Sequence, residues 1–138
     1  METIKLTNFG DVEDVHRGLL GPEGVRSLEV EALVDTGATM LVLPAEICKR
    51  LGLRTLGKRK VRYANGAVAQ VPWAGGVWLE VCGRQTLCEA LVEAPGTTPL
   101  IGQIPIEALD LVVDPKSRSL HPNPASPDAP LLDLLSAA

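Results

Sequence analysis

The sequence predicts an all-β single domain carrying two short helices. Three observations lead there: apolar residues recur with a period of two along most of the chain, glycine-containing turn signals separate those runs, and only two segments, after Pro44 and at Pro105, offer a helix start. With 138 residues, 46% of them hydrophobic, the chain can bury one sizeable core but is short for two ordinary domains.

Taken in order, residues 3–9 and 12–20 read as extended, and Gly-Pro-Glu-Gly at 21–24 as a turn. Leu28, Val30 and Ala32 then mark one buried face of a strand that runs directly into Asp35. Met40 to Leu43 form a short apolar run. Pro44 follows where a helix's first turn tolerates it, and the helix over AEICKRL stops at Gly52. Alternation returns from Lys58 through Val61 and Tyr63, breaks at Asn65-Gly66 and resumes at Val68 and Val71, a strong hairpin signal. Gly75-Gly76 and Gly83-Arg84 punctuate two further strands, at 77–82 and 85–94. Pro105 suits the start of a one- to two-turn helix over Ile106 to Leu109, and a last strand is expected at 111–114. Residues 1–120 are therefore expected to form the domain. Residues 121–138, with Pro122, Pro124, Pro127 and Pro130, are expected to form a flexible tail. The leucines 131, 132, 134 and 135 at its end offer a rival reading, docking onto a partner subunit or the protein's own groove.

Several function classes are disfavoured. METIKLTNFG has no apolar stretch of signal-peptide length, and no segment approaches a membrane span, so a soluble, unexported chain is expected. Cys48, Cys82 and Cys88 are odd in number, lack CxxC spacing, and lie far from His16 and His121; this suits a reducing cytoplasm better than disulfides or zinc. A net charge of −4 gives no global attraction to nucleic acid. Seven of the 13 basic residues, Lys49, Arg50, Arg54, Lys58, Arg59, Lys60 and Arg62, cluster locally, but with only Tyr63 to stack on a base they read as a solvated helix end and strand face. GLRTLGKR at 52–59 imitates a phosphate-binding loop, yet Arg59 stands where Ser or Thr should hold magnesium, and the helix comes before the motif instead of after it. No GxSxG elbow is present.

Asp35 remains. It stands between two apolar strands in Asp35-Thr36-Gly37-Ala38, where Gly37 lets backbone come close to the carboxylate and Thr36 supplies a hydroxyl. Four features follow in order: ALVDTGAT, the hairpin VRYANGAVAQV, the strand pair VWLEVCGRQTLCEALV, and PLIGQIPIEALDLVVD. Over about residues 28–114 the chain thereby resembles the retropepsins, single-domain aspartic proteases of retroviral type with cellular relatives. The resemblance implies a closed, β-barrel-like acid protease fold, active as a two-fold dimer, that hydrolyses peptide bonds with an Asp-activated water. No metal or cofactor is implied.

Because such enzymes share one proton between two aspartates and this chain carries one such triplet, the resemblance implies a homodimer pairing Asp35 with its symmetry mate. Thr36, Gly37 and Ala38 would form the active-site loop. Tyr63, Ala64, Asn65, Gly66 and Ala67 would form a flap over an extended peptide or protein substrate. Leu100, Ile101 and Gly102 would support the site from below. Two departures stand out: Gln103 replaces the arginine that many retroviral members carry after the last glycine, and the hairpin tip holds one glycine only. Ala38, unlike serine, cannot hydrogen-bond the ionised aspartate, so a mildly acidic optimum is expected. The alternatives are a non-catalytic dimerisation or peptide-binding module on the same fold, and a nucleic-acid-associated protein using the basic cluster.

Overall fold

A computed structural model describes residues 1–134. Strand β1 (Glu2–Asn8) turns Ile4 and Leu6 into the core, both fully buried. Burying each contributes about 1.5–3 kcal/mol, which pins β1 antiparallel to both β2 (Ser27–Val34) and the later strand β5 (Val68–Val81). The segment at 12–20 departs from the expected strand: helix α1 covers Phe9–His16. Asn8 caps it by accepting a hydrogen bond from the Asp11 N–H at 3.0 Å. Buried Asp11 in turn accepts from the Arg26 N–H and from both Nε and Nη2 of its guanidinium, at 2.9–3.0 Å. The helix is thus fixed by a partner 15 residues away, which local spacing does not reveal. A 3-10 turn at Pro22–Gly24 occupies the expected turn.

Strand β3 (Leu41–Pro44) leads into helix α2 (Ala45–Leu51), which Gly52 ends in the left-handed conformation (φ 66°), as its sequence predicts. Strands β4 (Arg54–Arg62) and β5 (Val68–Val81) form the expected hairpin. A second difference appears here, because Gly75-Gly76 does not end a strand. Ala74 pairs with Ala90 and Val77 with Cys88, leaving two glycines opposite Glu89 as a bulge within one 14-residue strand. Long-range pairing of β5 with β1 beyond the bulge keeps the chain extended.

Strand β6 (Arg84–Glu93), the two-residue β7 (Leu100–Ile101), helix α3 (Gln103–Ala108) and strand β8 (Leu111–Asp114) follow; β8 coincides with the expected last strand. A further strand, β9 (Ser119–Pro122), pairs with β8 and crosses the expected boundary at residue 120. Among the described residues the fold is mostly β with three short α-helices where two were expected.

The large sheet has the order β1-β2-β7-β3-β6-β5-β4, and β1 also pairs with β5. Its inner face holds the core, including Leu41, Leu43, Val77, Leu79, Ala90 and Ile101. Beyond β9, Asn123, Ser126 and the Leu131 N–H all donate to the Asp110 carboxylate. Leu131, Leu132 and Leu134 are exposed; Leu135 lies outside the described residues.

Candidate functional site

Strand register places Asp35. Leu33 and Val34 pair in parallel with Leu100 and Ile101, and the Asp35 N–H donates to the Ile101 carbonyl at 3.0 Å. Asp35 thus leaves β2 beside a fully buried residue and opens a tight loop. There the Gly37 N–H donates to Asp35 Oδ1 at 2.9 Å and the Ala38 N–H to the Asp35 carbonyl at 3.1 Å. The carboxylate is exposed, held by backbone and available to a ligand. Thr36 is exposed at the same loop.

Beneath the loop the chain passes itself closely. A Cβ on Gly102 would lie 2.5 Å from the Met40 carbonyl oxygen and 2.7 Å from that of Ala38. Only glycine fits without moving backbone. Directly after it, the Gln103 and Ile104 N–H groups donate to the Ala38 and Thr39 carbonyls at 2.8 and 2.9 Å, tying the Asp35 loop to the start of α3.

A cleft of about 1110 Å³ runs from Asp35, Gly37 and Ala38 across the outer face of the sheet. Its floor follows from strand alternation: Leu100 pairs with Val42 and Val42 with Leu91, while their chain neighbours Leu41, Ala90 and Ile101 face the core. The β4–β5 hairpin contributes Arg59 to Ala64, and β6 contributes Leu87, Glu89, Leu91 and Glu93. Of the hairpin-tip residues, Tyr63 and Ala64 line the cleft. Asn65, Gly66 and Ala67 form the turn beyond it, with Asn65 Oδ1 accepting from the Ala67 N–H at 2.9 Å and Gly66 at φ 84°. Leu100 lines the cleft, whereas Ile101 and Gly102 are buried under it.

The Tyr63 hydroxyl reaches across and donates to Glu93 Oε1 at 3.0 Å, which pushes the phenol's pKa up. Cys88 also lines the cleft, but desolvation, followed by the nearby charge of Glu89, pushes its thiol up to about 12, so it offers no thiolate nucleophile. All seven residues of the basic cluster are exposed, and Arg59 lies 4.1 Å from the Trp73 ring centroid.

Glu89, Leu91 and Glu93 were not singled out from sequence as site residues, and Arg59 was read only as part of the basic cluster. The signal available for the β6 residues was the alternation Leu87-Glu89-Leu91-Glu93 against Cys88-Ala90-Val92. A second, smaller hollow of about 280 Å³ also meets Asp35, lined by Met1, Leu33, Val34, Leu100 and Arg118. Residues 25–113 match a family model described as "gag-polyprotein putative aspartyl protease". No curated protein matches the chain significantly.

Proposed function

Since the chain belongs to the retropepsin-like family of gag-polyprotein aspartyl proteases, we propose that it is an aspartic endopeptidase whose catalytic dyad is Asp35 from each of two identical subunits. The observation that carries this reading is the position of Asp35: an exposed carboxylate, fixed by the Gly37 N–H, lining a cleft of about 1110 Å³ that the β4–β5 hairpin also lines. The return pairing of β1 with β5 supports a barrel-like domain over residues 1–120. The small hollow beside Asp35, where Leu33 is 40% exposed, supports a two-fold contact that would set the two carboxylates together.

In this dimer the two carboxyl groups share one proton, because like charges about 3 Å apart do not both ionise. The ionised Asp35 takes a proton from water as the water oxygen bonds to the scissile carbonyl carbon. The protonated Asp35 of the partner subunit donates to the carbonyl oxygen. Proton transfer to the amide nitrogen then breaks the C–N bond and releases the two peptide fragments. Residues 63–67 act as a flap: they cover the bound chain, exclude water and offer backbone hydrogen bonds. Three free cysteines, two of them at least half-buried, support a reducing, cytoplasmic setting. No described helix is long and apolar enough to cross a membrane.

The test is incubation with a diverse peptide pool from about pH 2 to 7, beside an Asp35→Asn variant, with products read by mass spectrometry. Cleavage by the native protein alone is expected, strongest in mildly acidic solution. Equal cleavage by both proteins, or a maximum below about pH 3, would contradict the proposal. Peptide binding without cleavage would favour the non-catalytic module.

A further inference from the structure

Glu89 stands apart from every other acid among the described residues. Its Oε2 is buried with no hydrogen-bond partner, although it lines the open cleft. Native structures rarely leave a buried carboxylate oxygen unsatisfied, since its lost hydration is then uncompensated. Among the described residues, no cation lies within ion-pairing distance of it. Arg54 pairs with Gly75 near the bulge, and Arg59 is engaged over Trp73.

The register fixes where this residue sits relative to Asp35. Leu33, Leu100, Val42 and Leu91 form one row across the sheet through successive strand pairs. Advancing two residues on β2 reaches Asp35. The same step along β7 reaches Gly102, and, allowing for strand direction, it reaches Met40 next to β3 and Glu89 on β6. The close approach of Gly102 to Met40 agrees with this alignment. Glu89 therefore occupies the same row and the same face as Asp35, three strands away.

At about 4.8 Å per strand the separation is about 14 Å, which an extended peptide covers in about four residues. The bulge at Gly75-Gly76 makes room for the acid: a Cβ on Gly75 would lie 3.2 Å from Glu89 Cγ. A side chain at that position would crowd both Glu89 and Leu56, whose Cδ1 would lie 3.4 Å from the added carbon, so glycine lets the acid pack against the bulge.

We propose that Glu89 is a specificity-determining residue, an anionic subsite that receives an arginine or lysine side chain of the substrate about four positions from the scissile bond. The inference rests on the peptidase reading for the location of the scissile bond, but the subsite itself needs only a bound peptide. A guanidinium or ammonium group would supply the missing donor, and a charge-assisted hydrogen bond in a partly dehydrated cleft is worth a discrimination on the order of tenfold or more over a neutral side chain.

Two measurements on the full chain test it. In the first, cleavage sites from a peptide pool are compared for native protein, Glu89→Gln and Glu89→Lys. Enrichment of Arg and Lys three to five residues from the cut is expected with the native protein, loss of that enrichment with Glu89→Gln, and acidic preference with Glu89→Lys. Each protein's ratio of basic to neutral sites is its own reference, so a poorly folded variant does not mimic the result.

In the second, labelled apolar decapeptides carrying one Lys or one Gln are titrated by fluorescence anisotropy against Asp35→Asn and against Asp35→Asn combined with Glu89→Gln. The Lys peptide is expected to bind Asp35→Asn on the order of tenfold more tightly, an advantage that the second substitution removes. Equal affinities, or a preference that survives Glu89→Gln, overturn the subsite. Charge-selective binding without any cleavage by the native protein overturns the peptidase reading and leaves the subsite standing.

Discussion

Gly102 shows how one missing side chain holds the site together. Its Cβ would meet three backbone atoms, the carbonyl oxygens of Met40 and Ala38 and the Met40 nitrogen, all within 2.7 Å. Backbone cannot swing away as a flexible side chain would. Gly102→Ala is therefore expected to destabilise the protein by about 1–3 kcal/mol or more, measured by urea unfolding, and to displace the Asp35 loop. An unchanged midpoint would show that the loop yields freely.

Asp110 offers a pH-dependent counterpart. Hydrogen bonds from Ser126, the Leu131 N–H and Asn123, in that order, with Arg84 adding charge, hold its carboxyl at about 2, below its ordinary 3.8. A depressed folded-state pKa means that the unfolded chain binds more protons between those values. The contribution is thus complete above about pH 4 and is lost as pH falls toward 2. The melting-temperature gap between native protein and Asp110→Asn should close over that interval. Asparagine suits the test because residue 110 sits at φ 51°, a conformation it tolerates. A gap that stays constant with pH would assign the effect to packing.

The β4–β5 hairpin depends on contacts at two levels. Its turn is local, with the Gly66 N–H donating to the Tyr63 carbonyl and the Tyr63 N–H to the Ala67 carbonyl, and the Asn65-Gly66 pair made it legible in sequence. Its attachment to the floor is not local, for the Tyr63–Glu93 hydrogen bond joins residues 30 apart. Tyr63→Phe removes the donor and keeps the ring. Faster hydrogen exchange is expected at the Tyr63 and Gly66 amides, with no change at Val77 and Leu79 in the core half of β5. Equal exchange at the tip would mean that the tether does not restrain it. Helix α1 shows the opposite balance, since its residues carry no strong helical pattern and its position is settled by the Asp11–Arg26 pair.

For the molecule as a whole, the exposed leucine beside Asp35 is the feature that a second copy would cover. Leu33 is 40% exposed and lines the small hollow with Leu100 and Met1. Leu33→Glu leaves the core untouched but would bury an unpaired charge in the proposed contact, a cost of several kcal/mol. Sedimentation is expected to show a dimer for the native protein and a monomer for the variant, and peptide cleavage is expected to disappear with the dimer. A dimeric, active Leu33→Glu variant would move the two-fold contact elsewhere.

The primary structure determined what neighbouring residues decide among themselves. The alternation at Leu28, Val30 and Ala32 assigned a buried face, Asn65-Gly66 a turn, Pro44 and Gly52 the ends of a helix, and Asp35-Thr36-Gly37 a candidate acid with room around it. Those signals span only a few residues, so their physical meaning is complete within the chain segment that carries them. Tertiary structure decided the rest: that α1 is helical, that β5 continues through Gly75-Gly76, that Gly102 passes against Met40, and that Glu89 shares a row with Asp35. Each depends on groups brought together from distant parts of the chain by hydrogen-bond register and core packing, and no local pattern specifies which strand will lie beside which.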